Sequence, residues 1–130
     1  MKKIAKKIMR NFRVVIKSLD LLSFFVFSFI SLLFSIILPI WRLTPGIIDV
    51  SNIPLHYNIH SGVDLFGQWW RIFMAPGLGF LVIIINTVLA LFFWRKDRML
   101  SYFFLAFMMF SQILIAIAMI FIVLLNISFS

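Results

Sequence analysis

Residues 21–40 have the sequence LLSFFVFSFISLLFSIILPI, twenty consecutive positions without a charged side chain. An α-helix needs about 20 apolar residues to cross about 30 Å of hydrocarbon, so this run predicts a transmembrane helix. A cleavable signal peptide has a shorter apolar core and a small-residue cleavage site. This run instead ends in Trp41 and Arg42 with no A-x-A-like site, and we expect residues 21–41 to be a retained first span.

Two further apolar runs follow, at residues 72–94 and 99–125. The whole chain of 130 residues is 64% hydrophobic and only 12% charged, whereas a soluble domain carries about 25% charged residues. Hydrophobic side chains that are too numerous to fit in a protein core must face lipid. The sequence therefore predicts an all-α, multi-pass membrane protein with three transmembrane helices. Pro76 lies near the start of the second run, so we expect residues 68–74 to form a separate turn at the interface.

The first 18 residues hold seven of the twelve basic side chains. At about 100° per residue, their apolar and basic positions fall on opposite faces of a helix. This pattern predicts an amphipathic helix at the membrane interface that contacts anionic lipids and not nucleic acid. The alternative is a disordered basic tail that follows the positive-inside rule. The basic residues concerned are Lys2, Lys3, Lys6, Lys7, Arg10, Arg13 and Lys17.

The distribution of charge predicts the orientation. Ten basic residues lie in the N-terminal segment and the turn at residues 95–98, against two, Arg42 and Arg71, at the other ends of the spans. The positive-inside rule then places the N-terminus in the cytoplasm. The loop at residues 42–70 and the tail at residues 126–130 are expected outside the cytoplasmic (inner) membrane. Four tryptophans at span ends predict an aromatic belt at the lipid interface: Trp41, Trp69, Trp70 and Trp94.

Polar residues inside the apolar runs predict where helices pack, because small and polar side chains commonly mark helix contacts in membranes. By depth, Ser28 is expected near Asn86 and Ser35 near Gln112, with Ser31 on the same stripe. The serines would then satisfy the two amides within a three-helix bundle. The alternative is that both amides bind a partner subunit. Three spans bury little protein surface, so we expect a homo-oligomer or other membrane protein subunits as partners.

The loop contains IPLHYNIHSGVD at residues 53–64, which holds both histidines. As a helix, it would place His56, His60 and Asp64 on one face, where two imidazoles one turn apart can share Zn²⁺. As an extended segment, it would separate the two histidines by about 13 Å, too far for one metal ion. The turn-forming residues in this stretch favour the extended geometry.

Individual residues of this loop have structural interpretations. His56 is expected to be a hydrogen-bonded anchor of the loop rather than a base or a ligand. Gly62 is expected to supply a positive φ. Asp64 is expected to cap the turn that starts at Leu65, with an ion pair to Arg71 as the alternative.

The spacing of Ile53, Pro54, His56, Asn58, Gly62 and Asp64, between two spans, resembles the SdpI-like small bacterial membrane proteins. The resemblance covers roughly residues 35–95. It implies immunity against a secreted peptide toxin, or a role in signalling. It also implies that the loop motif carries binding, through Pro54, His56, Asn58, Gly62 and Asp64.

The sequence does not favour catalysis. It contains no cysteine, no catalytic or nucleotide-binding motif, and no ionisable residue well inside a span. We therefore expect a non-enzymatic protein without a cofactor that presents a structured outer loop for recognition. The alternative is an accessory subunit of a larger membrane complex. A third hypothesis is a metal-dependent membrane enzyme, with His56 and His60 as weak candidate ligands.

Overall fold

The computed structural model describes residues 3–6, 8–10, 19–47 and 53–128. Residues 3–6 and 8–10 are helical, and regular elements fill most of the remainder. The described residues contain three long helices, α1, α2 and α3. A two-stranded hairpin, β1 and β2, and a 3₁₀ helix lie between α1 and α2 along the chain, and a short turn connects α2 to α3. The bounds are α1 Leu19–Ile47, β1 Ile53–Asn58, β2 Gly62–Gly67, the 3₁₀ helix Trp69–Phe73, α2 Met74–Phe93 and α3 Arg98–Ser128.

Within the described residues, three segments are long and apolar enough to cross a membrane, which confirms the prediction of a mostly helical chain with three helices of transmembrane length. They run over Leu21–Leu43, Trp69–Phe93 and Arg98–Ser128. The separate turn expected at residues 68–74 is found as the 3₁₀ helix Trp69–Phe73, which forms the first part of the second of these segments. Pro76 then falls in the first turn of α2, where its missing N–H costs no helical hydrogen bond.

The all-α prediction is wrong for residues 53–67, which form an antiparallel hairpin. Two boundaries also differ from those predicted. Helix α1 continues past Arg42 to Ile47, and α3 continues to Ser128 where a tail was expected from residue 126. Helical hydrogen bonds need no hydrocarbon around them, so a helix can extend beyond the apolar run that identifies it.

The helices enclose two buried clusters, because α3 packs against both α1 and α2. One cluster lies at the turn end of the bundle, where residues 94–97 connect α2 to α3. It consists of Leu21, Ala90, Leu91, Trp94, Leu105 and Met108, with Ile8 packed against it. The other lies at the hairpin end, where β1 and the 3₁₀ helix join the bundle. It consists of Leu43, Ile53, Ile72, Met119 and Val123.

Helices α2 and α3 make close contact at Gly79. Gln112 is fully buried and its Nε2 donates to the carbonyl oxygen of Gly79 over 2.8 Å. A Cβ at Gly79 would lie 2.9 Å from Cδ1 of Ile115 and 3.1 Å from Oε1 of Gln112. The missing side chain thus lets the two helices approach, as small residues commonly do in membrane bundles. The backbone carbonyl oxygen of the same Gln112 accepts a hydrogen bond from Ser31 Oγ of α1 over 3.1 Å.

The predicted pairing of serines with amides is wrong in its partners. Asn86 Nδ2 donates within its own helix, to the Val82 carbonyl oxygen over 2.9 Å, and Ser35 Oγ donates to the Ser31 carbonyl oxygen. Ser28 Oγ is buried and has no hydrogen-bond partner among the described residues. Depth along a helix does not determine which way a side chain faces around it.

The alternative prediction, that the two amides bind a partner subunit, is also wrong. Asn86 and Gln112 are both buried within the single chain. Their amide nitrogens already donate to backbone carbonyl oxygens of the bundle. Neither side chain is therefore available on the surface that a partner subunit would contact.

The tryptophans divide into two groups. Trp41 is 71% exposed, and Trp69 and Trp70 are also exposed near the hairpin end, as an interface belt requires. Trp94 does not fit that prediction, because its side chain is only 8% exposed and belongs to the turn-end cluster. The guanidinium of Arg98 lies 5.7 Å from its ring centroid. The short turn folds this ring back against the bundle instead of leaving it in lipid.

The predicted N-terminal interfacial helix falls only partly within the structure. Lys3, Lys6 and Arg10 are exposed on the helical residues 3–6 and 8–10. Ile8 is the residue of this segment that packs against the turn-end cluster. The remaining basic residues of the prediction, Lys2, Lys7, Arg13 and Lys17, lie outside the described residues.

Candidate functional site

The stretch that the sequence singles out folds as a compact β-hairpin. Strands β1 and β2 pair from Ile53 opposite Gly67 to Asn58 opposite Gly62, with a turn at residues 59–61. Asn58 Oδ1 accepts a hydrogen bond from the His60 backbone N–H over 3.1 Å, as asparagine does in tight turns. Gly62 has φ of +75°, which confirms the predicted positive φ. A residue with a Cβ is strained in this region, so glycine closes the turn at least cost.

The hairpin selects the extended geometry over the helical one. His56 lies in β1 and His60 in the turn, so they do not line one helical face with Asp64. The helical arrangement in which the two histidines share a zinc ion is therefore wrong. Within the described ranges, no three histidine or acidic side chains gather at a point where they could hold a metal ion.

The strand register is irregular around His56. His56 pairs with Leu65, and register shifts occur on both sides of it, between Pro54 and His56 and between His56 and Tyr57. Pro54 has no N–H to donate to a ladder, and bulges are where a sheet tolerates proline. The two shifts place one extra residue in each strand, Leu55 in β1 and Asp64 in β2. Bulges commonly redirect side chains, and here the irregularity accompanies a contact between His56 and Asp64.

That contact is the most polar feature of the hairpin. His56 Nδ1 lies 2.6 Å from Asp64 Oδ1, with side chains 62% and 36% exposed. An ionised carboxylate only accepts, so the imidazole donates from Nδ1 and offers Nε2 to a ligand. The prediction that Asp64 caps the following turn is wrong. Gln68 occupies the capping position of the 3₁₀ helix instead, and Arg71 lies over the Trp70 ring at 5.8 Å.

A buried asparagine fixes the hairpin to the bundle. Asn126, near the end of α3, donates from Nδ2 to the carbonyl oxygens of Pro54 and Ile122, each over 2.8 Å. Ile53 is buried in the hairpin-end cluster, and Leu55 packs against that cluster. The base of β1 is thus held by a hydrogen bond and by apolar contacts.

Gly67 supports the same base. A Cβ built there would lie 2.5 Å from Cδ1 of Leu55 and 3.1 Å from Cδ of Arg71. Leu55 can therefore cross the end of β2 only because residue 67 has no side chain. Sequence reasoning missed both Asn126 and Gly67. An asparagine at the end of an apolar helix and a glycine at the end of a strand are weak signals, and neither indicates its partner.

The candidate binding residues therefore divide by location. Pro54 is buried, and Gly62 shapes the turn. His56, Asn58 and Asp64 are exposed on the hairpin. The turn also presents Ile59, which is 83% exposed. The hairpin thus combines a fixed base with an exposed surface that is polar at the His56–Asp64 pair and apolar at its tip.

No protein-family model, curated protein or solved structure matches this chain. The exposed groups of the hairpin can accept and donate hydrogen bonds, carry charge and bury one apolar side chain. These are the interactions by which a protein surface recognises a partner.

Proposed function

We propose that this chain is a small, non-enzymatic membrane protein whose hairpin, residues 53–67, recognises a peptide partner at the outer face of the cytoplasmic membrane. The observation that carries the proposal is that the hairpin is anchored at its base and exposed beyond it. Asn126 and Ile53 hold β1 to the bundle, whereas His56, Asp64 and Ile59 face outward. A surface that is already ordered loses less conformational entropy when a partner binds.

The exposure of the His56–Asp64 pair favours binding over catalysis. Acid–base groups in active sites are generally held in shielded environments that change their protonation behaviour. Here the imidazole side chain is 62% exposed. A histidine oriented by a carboxylate in such a position is suited to accept one directed hydrogen bond at Nε2. This geometry is suited to specific binding of a partner more than to activation of a reacting group.

A peptide fits this surface better than a small molecule does. Ile59 and Leu65 are exposed apolar side chains on the same hairpin as the polar pair. Interfaces with peptides and proteins combine an apolar anchor with directed polar contacts around it. The resemblance to SdpI-like proteins adds a specific hypothesis, immunity against a secreted peptide toxin. The charge bias of ten basic residues against two supports an outer position for the hairpin.

A protection assay tests the proposal. Expression of the chain is expected to protect sensitive bacteria from a secreted membrane-active peptide toxin. His56→Ala and Asp64→Ala are expected to abolish protection while the protein remains in the membrane at its normal level, because each removes one half of the polar pair. Lys96→Ala is the matched control, since Lys96 is exposed at the opposite end of the bundle.

Two results would contradict the proposal in different ways. Full protection by both hairpin variants would show that the His56–Asp64 pair is not the recognition element. No protection by the wild-type chain, together with a discrete larger complex in native gels, would favour an accessory subunit instead. Immunoblots of the membrane fraction distinguish a loss of recognition from a loss of protein.

A further inference from the structure

A groove of about 480 Å³ lies between the hairpin and the last third of α3. Leu55 and His56 of β1 form one wall. The other wall is formed by α3, including Ala118, Phe121 and Ser128. This volume is within the range of about 300–1,000 Å³ that is typical of small-molecule sites.

The groove lies at the boundary between hydrocarbon and headgroups. Helix α3 has 31 residues and is about 46 Å long, whereas hydrocarbon is about 30 Å thick and the bilayer with headgroups about 40–45 Å. Measured from the charged turn, the hydrocarbon ends at about residues 115–123, since about 17–25 residues cross it. The α3 residues that line the groove begin at Ala118 and end at Ser128. Exposed Trp41 and Trp70 lie near the same end of the bundle, as interface residues do.

The groove is apolar toward the middle of the bundle and polar toward its hairpin end, as a lipid is apolar along its acyl chains and polar at its headgroup. Its deeper part is apolar, with Ala118, Phe121 and Ile122. Its shallow part contains the polar side chains, those of His56 and Ser128. Phe121 is 67% exposed on a membrane-spanning helix, so the groove is continuous with the surface that contacts lipid. A molecule that fills it from the bilayer would place an acyl chain deep and polar atoms at His56.

The charge at the shallow end selects among headgroups. The described residues that line the groove include no lysine or arginine. His56 is the titratable side chain there, and the Asp64 carboxylate lies 2.6 Å from its ring. An anionic headgroup would meet that carboxylate without a compensating cation. The ammonium group of a zwitterionic headgroup can donate to the Asp64 carboxylate and to His56 Nε2, while the phosphate stays on the water side.

We propose that this groove binds one zwitterionic glycerophospholipid from the leaflet at the hairpin end. One acyl chain lies against Phe121 and Ile122, and the headgroup contacts the His56–Asp64 pair. This site shares the His56–Asp64 pair with the peptide recognition proposed above, and adds the wall of α3 from Ala118 to Ser128. It differs from the predicted lipid contacts of the basic N-terminal residues, which favour anionic lipids at the opposite end.

Native mass spectrometry of the full chain in mild detergent tests the proposal. The protein is mixed with phosphatidylethanolamine or phosphatidylglycerol at equal concentrations, and retained lipids are counted. We expect one phosphatidylethanolamine per chain. Ala118→Phe is expected to lower its retention by about tenfold or more, because the ring displaces two or three acyl methylenes from the groove. The matched control is Ala106→Phe, the same change at an exposed position of α3 outside the groove.

A second variant tests the headgroup contact separately. Asp64→Asn removes the carboxylate, so the preference for phosphatidylethanolamine over phosphatidylglycerol is expected to fall. Three results would overturn the proposal: equal retention by Ala118→Phe and Ala106→Phe, a preference of the wild-type chain for phosphatidylglycerol, or an unchanged preference in Asp64→Asn. Lipid retention is measured on purified protein without toxin, so failure of either proposal can be recognised on its own.

Discussion

The contact between α2 and α3 at Gly79 allows a matched test of the bundle. Gly79→Ala introduces a Cβ 2.9 Å from Ile115 Cδ1 and 3.1 Å from Gln112 Oε1, both shorter than a normal contact. Gln112 is fully buried and held by its hydrogen bond to Gly79, so it cannot simply move aside. Either the two helices separate or Gln112 changes rotamer and loses that bond. Gly77→Ala is the control, because no described atom lies within 4 Å of a Cβ at that position.

The magnitude follows from two opposing effects. Both substitutions gain about 0.5–1 kcal/mol of helix stability, because alanine loses less backbone entropy than glycine. Overpacking a filled site costs about 1–3 kcal/mol, and this cost applies to Gly79→Ala alone. The free energy of unfolding of Gly79→Ala is therefore expected to be about 1–3 kcal/mol below that of Gly77→Ala.

Thermal or denaturant unfolding of the two purified variants in the same mild detergent measures this difference. Gly77→Ala is expected to be as stable as the wild type or slightly more stable. Equal stabilities of the two variants would refute the reasoning, since α2 and α3 would then not approach each other at Gly79.

The remaining predictions concern the hairpin and buried hydroxyl groups. Asn126→Ala should cost about 1–3 kcal/mol by leaving the buried Pro54 carbonyl oxygen without its side-chain donor, and should increase amide hydrogen exchange in residues 53–67. Gly62→Ala should lower the free energy of unfolding by about 1–2 kcal/mol, because an added Cβ is strained at a φ of +75° although it meets no neighbouring atom. Gly62→Asn should lose less, because asparagine tolerates this conformation better. Equal melting temperatures of Gly62→Ala and the wild type would contradict this prediction. Ser28→Ala should leave the free energy of unfolding unchanged or raise it, because the buried Ser28 hydroxyl has no hydrogen-bond partner among the described residues. Ser101→Ala should lower it by about 1 kcal/mol, because it loses a 2.9 Å hydrogen bond to the Ala90 carbonyl oxygen. The opposite order of unfolding free energies would contradict these contacts.

The spans could be predicted from the sequence because bilayer thickness sets the minimum number of apolar residues that a transmembrane helix needs. Residues 21–40 meet it without a charge, and in the structure Leu21–Leu43 is helical and long and apolar enough to cross a membrane. The direction in which a side chain faces around a helix depends on contacts with distant segments. Gln112 was expected beside Ser35, and its amide instead reaches the carbonyl oxygen of Gly79.

The extended geometry of the hairpin segment could be predicted from the sequence, but the contacts that fix the hairpin to the bundle could not. The turn formers at residues 53–64 favour an extended segment over a helix, and Gly62 was expected to supply a positive φ. The bulges around His56 and the contact between Asn126 and Pro54 depend on residues that pack after the chain has folded. Asn126 and Pro54 are 72 positions apart, and a single sequence contains no local signal that joins them.

Site-specific labelling of single cysteines tests the central proposal, that the anchored hairpin is presented outside the cytoplasm. The chain contains no cysteine, so His60→Cys in the hairpin turn and Lys96→Cys in the α2–α3 turn each give one reactive position on an unreactive background. Both residues are exposed. In intact cells a membrane-impermeant maleimide is expected to label His60→Cys at once and Lys96→Cys only after permeabilisation. The reverse pattern would place the hairpin in the cytoplasm and contradict the proposed recognition of an outside partner.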